Sequence, residues 1–308
     1  LRIGHFMCRG RTFKQLAPVM EQPGKENHQM TSKALVVLSG GQDSTLCLHW
    51  ALQQGFDEVQ AVAFDYGQKH KIELEMAAHQ CKAAGVKLEV VELGPILKGT
   101  SPLTNPDVEL EQYEDGDLPG GLEKTFVPMR NQLFLTIAAN RAYVIGATNL
   151  ITGVCQADSG GYPDCRKTFI DALTASINLG TFTGEPGTIK PLKIHTPLMD
   201  LSKSESIGMA LRIKGAYAAW AYSHTAYDGA YPPLGFDHAT VLRAQGFEES
   251  TVPDPLVLRA ACEGLMELPG THNYDVARDV TEKGPKGKAK SWTPDEFVAA
   301  VADAVGAA

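Results

Sequence analysis

A short segment rich in glycine and hydroxyl side chains is the part of this sequence best suited to bind an anion. Residues 39–45 read SGGQDST and follow the apolar run 34–38, which is typical of a buried strand. The two glycines let backbone N–H groups approach an anion closely, and a helix starting behind them adds its positive end. The segment therefore predicts a phosphate-binding loop, with a tight turn capped by its own serines as the alternative. It is neither a Walker A motif, because it lacks Gly-Lys-Ser/Thr, nor the GxGxxG motif of dinucleotide-binding folds.

Further polar residues that could do chemistry follow the next predicted strands. Residues 64–70 read FDYGQKH, and the imidazole of His70 could transfer protons near neutral pH or simply lie exposed at the start of a helix. Arg130, in FVPMRN at 126–131, could clamp a phosphate or a carboxylate through two hydrogen bonds, or form a surface ion pair. Asp164 follows a strand predicted at 150–154, and could bind a ligand beyond that strand or cap the helix after it.

Strands and helices alternate along the sequence as expected for a parallel sheet with helical crossovers. Hydrophobic spacing predicts strands at 34–38, 59–64, 87–93 and 150–154, and an extended segment at 191–197. It predicts helices at 44–54, 72–84, 131–145, 167–179, 202–212 and 238–245, and a last helix from the capping sequence TPDE at 293–296. The fold class is therefore α/β, a doubly wound parallel sheet with a small irregular C-terminal subdomain. We expect an N-terminal extension at 1–32, a main domain at 33–222 and the subdomain at 223–308.

The amino-acid composition argues against several classes of function. The net charge of −8 and the pI near 5.6 argue against a general electrostatic grip on nucleic acid. No apolar run approaches the ~18 residues that span a bilayer, and residues 1–7 lack the apolar core of a signal peptide. The six cysteines form no CxxC pair, so we expect a reducing, cytoplasmic compartment. The stretch 99–123 holds seven acids and no Lys or Arg, and predicts a solvated loop, a lid or a disordered excursion.

Several motifs in sequence order carry a resemblance to a known family. SGGxDS behind a strand resembles the pyrophosphate loop of the N-type ATP pyrophosphatases, the PP-loop superfamily, whose members adenylate a carboxylate or carbonyl oxygen. From about residue 33 to 255 the chain is similar to the 7-cyano-7-deazaguanine synthase family. The motifs that carry this similarity are FDYGQKH, FVPMRN, TGV at 152–154, GYPDCR at 161–166, HTPLM at 195–199 and LSK at 201–203.

The resemblance implies an ATP-dependent carbon–nitrogen ligase that converts 7-carboxy-7-deazaguanine and ammonia to the 7-cyano base. An adenylated acid and an amide would be the intermediates, and Mg²⁺ would offset the charge of the ATP phosphates. The product would feed queuosine or a related 7-deazaguanine modification. The family also implies a homodimer, with no membrane and no direct nucleic acid binding expected.

The resemblance also implies roles for individual residues. Those implied to bind ATP are Leu38, Ser39, Gly40, Gly41, Gln42, Asp43, Ser44, Thr45 and Phe64. Phe64 could equally be an ordinary core residue. Those implied to act in catalysis are Asp43, which is also a candidate to organise Mg²⁺, His70 and Arg130. Those implied to bind the substrate are Tyr66, Gln68, Asp158, Tyr162, Asp164 and Arg166.

The sequence departs from the family at its structural zinc site. The four positions that hold cysteine ligands in the family are here Ala226, Leu234, Asp237 and Thr240. Because four lost thiolates leave no tetrahedral sulfur site, we expect zinc to be absent. The side chains predicted to fill the space instead are Leu234, Phe236, Tyr227 and Tyr231. A nitrogen and oxygen site built from His224, Asp237 and His238 is the alternative.

A second departure lies beside the predicted substrate site. Ser159 and Gly160 stand where the family has an aromatic residue and a serine. This leaves open a paralogue that adenylates a deazaguanine acid but stops at the amide or joins the acid to another amine. A further alternative is a non-catalytic homologue that only binds a nucleotide.

Overall fold

Five parallel strands form one sheet in the core of this protein. The structure is a computed structural model that describes residues 32–69, 71–99, 101–156, 161–181, 190–285 and 291–308. The strands are β1 (Lys33–Val37), β2 (Glu58–Asp65), β3 (Lys87–Glu92), β4 (Asn149–Ile151) and β5 (Lys193–His195). Their order is β3-β2-β1-β4-β5, and each neighbouring pair is parallel. The chain runs outward from β1 to β3 and then crosses back to β4, so the strand order reverses between β1 and β4. Ligands of open α/β sheets bind at such a switch point.

Helices connect the strands and continue beyond the sheet. Those associated with the sheet are α1 (Gln42–Gln53), α2 (Ile72–Ala84), α3 (Arg130–Ile145), α4 (Lys167–Gly180) and α5 (Lys203–Arg212). Those of the C-terminal part are α6 (Ala216–Ala219), α7 (His238–Glu249), α8 (Pro255–Cys262), α9 (Asp275–Lys283) and α10 (Pro294–Val305). No helix among the described residues is both long and apolar enough to cross a membrane.

The side chains of β1 alternate between two hydrophobic cores, one on each face of the sheet. Ala34 and Val36 belong to the core that contains buried residues of α1, α2 and α5. Leu35 belongs to the core that contains buried residues of α3 and α4. Buried apolar side chains on both faces are expected when helices cover both sides of a parallel sheet. The predicted doubly wound fold is therefore confirmed.

The C-terminal part differs from the sequence expectation in its helix content. The helix α10 begins at Thr293 with the predicted capping box, in which the Thr293 and Glu296 side chains each accept from the other's backbone. The helices α8 and α9 were not predicted, and with α10 they bury a third hydrophobic core. The described part of residues 31–308 forms one compact unit. The domain boundary at 222/223 stays a prediction, and the extension at 1–32 lies almost wholly outside the described residues.

The acidic segment between β3 and α3 is a loop fastened to the residues before α7. The Tyr113 N–H donates to the Phe236 carbonyl oxygen over 2.7 Å, and the Phe236 N–H donates to Gln112 Oε1 over 3.0 Å. The Tyr113 hydroxyl donates to buried Glu123 over 2.8 Å. These bonds fasten the described part of the loop to the segment before α7.

Candidate active site

The predicted phosphate-binding loop joins the end of β1 to the start of α1 at the switch point. Its two serines hold it together, because the Ser39 and Ser44 hydroxyl oxygens are 3.0 Å apart and Ser44 Oγ donates to the Gly41 carbonyl oxygen over 3.1 Å. Gly40 has a φ of +94°, and a Cβ there would lie 2.0 Å from the Glu73 carbonyl oxygen. Only glycine fits this position without moving α2. No side chain of a described residue caps α1, so its first N–H groups remain available to an anion.

A cavity of about 350 Å³ opens beside this loop. It lies at the carboxyl ends of β1, β2 and β4, where the start of α3 and the segment before α7 also meet. The predicted site residues that line it are Leu38, Ser39, Gly41, Gln42, Asp43, Ser44, Phe64, Tyr66, Gln68, Arg130 and Tyr162. His70 and Asp158 lie outside the described residues. The structure thus brings most of the predicted residues to one cavity.

Four predicted site residues do not line the cavity. Gly40 and Thr45 belong to the loop, and Thr45 is fully buried. Asp164 is buried and accepts the Asn131 N–H over 3.1 Å, so it caps the start of α3 and not the helix that follows it. Arg166 is exposed at the start of α4. The structure therefore does not place these four residues in the lining of the cavity.

Asp43 forms an ion pair that spans the switch point. Lys203 Nζ donates to the two Asp43 carboxylate oxygens over 2.8 Å and 3.0 Å. Lys203 is the first residue of α5, and the capping box of Ser202 and Glu205 fixes that end of the helix. Lys203 lines the cavity but was missing from the predicted site residues, although the LSK motif contains it. A lysine ammonium next to a phosphate-binding loop is suited to contact a phosphate.

Aromatic side chains form the wall near the end of β2. The Phe64 and Phe134 rings stack with their centroids 4.5 Å apart, and Tyr66 meets Phe134 edge-on at 5.1 Å. Phe64 is therefore both a packed core residue and part of the cavity lining. Gln68 accepts the Tyr66 N–H over 2.9 Å and donates to the Phe64 carbonyl oxygen over 3.3 Å. The oxygen and the nitrogen of the Gln68 side-chain amide both bond the backbone. Gln68 therefore fixes the loop after β2 that forms this wall of the cavity.

Arg130 lies among tyrosine hydroxyls at the start of α3. The residue before it, Met129, has a φ of +64°, which is uncommon for a side chain larger than glycine. Burial raises the pKa of Tyr66 and the Arg130 guanidinium opposes this shift, so the two groups are close neighbours. Burial also raises the pKa of Tyr227, which interacts with Tyr162 and with Arg130. This arrangement presents one cation and several hydroxyl donors to a ligand in the cavity.

Besides Lys203, the sequence analysis missed Tyr227 and Glu73 as cavity residues. Tyr227 was expected to fill the zinc space, yet it lines the cavity. Glu73, in the first turn of α2, lines the cavity as well, and it follows His70 by three residues. Burial raises the pKa of the Glu73 carboxyl to about 7, while Arg130 acts in the opposite direction. The signal that could have found Glu73 is its place in the first turn of the predicted helix that directly follows the FDYGQKH motif.

The residues at the family's zinc-ligand positions do not fit zinc. Asp237 is 1 % exposed and accepts hydrogen bonds from the N–H groups of Ala239 and Thr240, the Thr240 hydroxyl and the Tyr227 N–H, over 2.9–3.2 Å. Ala226 is buried and has no ligand atom in its side chain. The described residues contain no cluster of three His, Cys, Asp or Glu side chains that could hold a metal ion. The carboxylate at one of these positions is therefore engaged as the cap of α7.

The predicted apolar filling of the zinc space is wrong. Leu234 is 61 % exposed and Phe236 is 47 % exposed, so neither side chain replaces the metal in a core. The Tyr231 hydroxyl donates to Glu263 over 2.6 Å instead of packing there. The alternative site of His224, Asp237 and His238 does not form either, since His224 Nε2 bonds the Ala226 carbonyl oxygen over 2.9 Å. A buried carboxylate that accepts several hydrogen bonds makes apolar filling unnecessary.

Comparison with known proteins places the chain in a family. The family model for the queuosine biosynthesis protein QueC matches residues 33–251. Three relatives are each named 7-cyano-7-deazaguanine synthase. The protein of Gloeobacter violaceus is 47 % identical over 228 residues, which is 73 % of this chain and 95 % of the relative. The protein of Chromobacterium violaceum is 46 % identical over 240 residues, 77 % of this chain and 98 % of the relative. The protein of Bacillus subtilis is 42 % identical over 223 residues, 71 % of this chain and 95 % of the relative. The chain belongs to the QueC family of queuosine biosynthesis proteins.

Proposed function

We propose that this protein is an ATP-dependent ligase that converts 7-carboxy-7-deazaguanine and ammonia to 7-cyano-7-deazaguanine. The observation that carries the proposal is the glycine loop at 39–45, which opens onto a cavity containing Arg130. Family membership and relatives named for this synthesis at 42–47 % identity support the same conclusion.

In the proposed chemistry, the two oxygens of the carboxylate are adenylated in turn, and each then leaves with AMP. The acid's carboxylate oxygen attacks the α-phosphorus of ATP, pyrophosphate leaves, and ammonia then displaces AMP to give the amide. The amide oxygen attacks a second ATP, pyrophosphate leaves again, and loss of AMP produces the nitrile. Each carboxylate oxygen thus leaves as part of AMP.

The loop and α1 are proposed to hold the β- and γ-phosphates of Mg²⁺–ATP. Their open N–H groups supply hydrogen bonds, and the helix end supplies a positive potential. Lys203 already lies beside Asp43, so its ammonium group can donate a hydrogen bond to a phosphate without a large movement. Asp43 is the proposed group that faces Mg²⁺ once Lys203 turns to the phosphate.

Arg130 and the surrounding hydroxyls are proposed to hold the substrate's carboxylate against the α-phosphate. A guanidinium can bind a carboxylate and a phosphate through paired hydrogen bonds. Tyr66 and Tyr162 would orient the base, and Thr125 fixes Tyr162 because their hydroxyl oxygens are 2.6 Å apart. Roles for His70 in proton transfer and for Asp158 in substrate binding remain proposals from the sequence.

The metal content, the cellular location and the oligomeric state are also proposed, each from fewer observations. A zinc-free C-terminal subdomain is supported by the Asp237 cap. A reducing, cytoplasmic location is supported by Cys47, Cys81, Cys165 and Cys262, which form no disulfide within the described ranges. A homodimer is proposed by analogy with the family alone.

The product's mass tests the proposed function. Purified protein would be incubated with the acid, ATP, Mg²⁺ and ammonium, and the products separated by mass spectrometry. The nitrile is the expected product, and Asp43→Ala is expected to abolish it. An accumulating amide or a larger conjugate would instead favour the paralogue suggested by Ser159 and Gly160. No turnover with any amine would contradict the ligase assignment.

A further inference from the structure

Two carboxylates line the described part of the cavity, and only one of them has an ionic partner. Asp43 is held by Lys203 through both of its oxygens. Glu73 has no hydrogen bond and no ion pair with a described residue, and it lines the same cavity. A cavity-lining carboxylate left unpaired is available to a ligand, whereas a structural one is normally hydrogen-bonded.

Glu73 is fixed beside the phosphate-binding loop by its own backbone. Its carbonyl oxygen packs against Gly40 so closely that no Cβ could be accommodated there. The charged or titratable side chains that share the cavity are Asp43, Tyr66, Lys69, Arg130, Cys155, Tyr162, Cys165, Lys203, His224, Tyr227 and His238. Of these, the Arg130 guanidinium and the Tyr66 hydroxyl interact electrostatically with the Glu73 carboxyl. The carboxylate therefore shares a cavity with the phosphate-binding loop and the proposed clamp for the reacting carboxylate.

The proposed reaction removes three protons from the ammonia nitrogen in turn. When ammonia attacks the adenylated acid, the C–N bond forms, the C–O bond to AMP breaks, and the nitrogen must lose one proton. When ATP adenylates the amide oxygen, C–NH2 becomes C=NH and the second proton is lost. When the adenylated amide collapses, the C≡N bond forms, AMP leaves, and the last proton on nitrogen is lost. The first adenylation releases no proton from nitrogen, because its nucleophile is already a carboxylate.

We propose that Glu73 is the general base that accepts the proton from nitrogen when ammonia displaces AMP, and again when the nitrile forms. This rests on the proposed function. A carboxyl with a pKa of about 7 is half ionised at neutral pH. It can therefore accept a proton during amide formation and release it to solvent before the nitrile forms. The proposal adds a proton acceptor to the residues that bind ATP and the acid.

The test separates adenylation from nitrogen transfer in Glu73→Gln. Exchange of labelled pyrophosphate into ATP, dependent on the acid, reports adenylation alone. We expect this exchange to stay near the wild-type rate, while formation of amide and nitrile falls by about 10²–10⁴-fold. Glu75→Gln, an exposed acid two residues further along α2, is the matched control and should leave both rates unchanged. Glu73→Asp keeps the carboxylate and should recover part of the lost rate.

Hydroxylamine gives a second measurement that separates a proton-accepting role of Glu73 from a structural one, because a distorted site would lose hydroxamate formation as well. It attacks acyl adenylates readily with less need for a base, and its hydroxamate product is easily detected. Hydroxamate formation by Glu73→Gln should therefore approach that of the wild type. Equal losses of exchange and product, or product formation within tenfold of the wild type, would overturn the inference. Absence of acid-dependent exchange in the wild type would instead overturn the proposed function, and the inference with it.

Discussion

Removing the Asp237 carboxylate should weaken the part of the molecule that family members hold with zinc. Asp237 caps α7 through the N–H groups of Ala239 and Thr240 and also ties the Tyr227 N–H to that helix. In Asp237→Ala, loss of the cap costs about 1 kcal/mol. A backbone N–H of Tyr227 left without its partner adds about 1–3 kcal/mol. The expected loss is therefore about 2–4 kcal/mol of unfolding free energy.

Denaturant unfolding and thermal melting measure this loss. At about 2 °C per kcal/mol for a domain of this size, Tm should fall by about 4–8 °C. Asp228→Ala is the matched control, because Asp228 is exposed and, among the described residues, accepts a hydrogen bond from the Ala230 N–H alone, over 2.8 Å. It should change stability by less than about 1 kcal/mol.

Zinc removal completes the experiment on the wild-type protein. Chelator should leave Tm unchanged, and metal analysis should find no stoichiometric zinc. A Tm that falls with chelator, or an Asp237→Ala variant as stable as the Asp228→Ala control, would refute the argument that hydrogen bonds replace the metal.

Three further changes test other parts of the structure. Gly40→Ala places a Cβ 2.0 Å from the Glu73 carbonyl oxygen at a φ of +94°. It should reduce the rate of pyrophosphate exchange by about 10²-fold. The control Gly55→Ala, which has open space around it, should leave that rate unchanged. Lys203→Met should raise the KM for ATP by about tenfold or more in steady-state assays, since a charge-assisted hydrogen bond contributes about 1.5–3 kcal/mol; an unchanged KM would contradict a phosphate contact. Arg243→Met leaves buried Asp254 without the bidentate partner that lies 2.6 Å and 2.8 Å away, and should cost about 3–5 kcal/mol in denaturant unfolding. Stability equal to the wild type would contradict that reasoning.

The order of strands and helices around the loop could be predicted from the sequence because each element carries its own local signal. The helix α2 was predicted with its observed bounds, Ile72–Ala84, since apolar spacing defines it and Gly85 stops it in the left-handed region at φ +67°. The loop at 39–45 was predicted for the same reason, because its glycines and hydroxyls are contiguous in the chain.

Contacts between distant residues could not be predicted in this way. The pair of Asp43 and Lys203 joins residues 160 positions apart, so no local pattern indicates it. The helix α8 had a usable signal in Asp254 as its cap followed by Pro255, but the region before it was interpreted as irregular because of its Gly, Pro and aromatic content. The Asp237 cap was missed because four lost cysteines suggested an apolar replacement, whereas the structure uses a carboxylate.

The fate of the acid's oxygens tests the adenylation mechanism most directly. The acid would be labelled with ¹⁸O in both carboxylate positions, turned over with ATP and ammonium, and the nucleotides analysed by mass spectrometry. If the loop at 39–45 holds ATP for attack at the α-phosphorus, one labelled oxygen should appear in each of two AMP molecules for every nitrile formed. Label in inorganic phosphate or in water, with unlabelled AMP, would contradict the account.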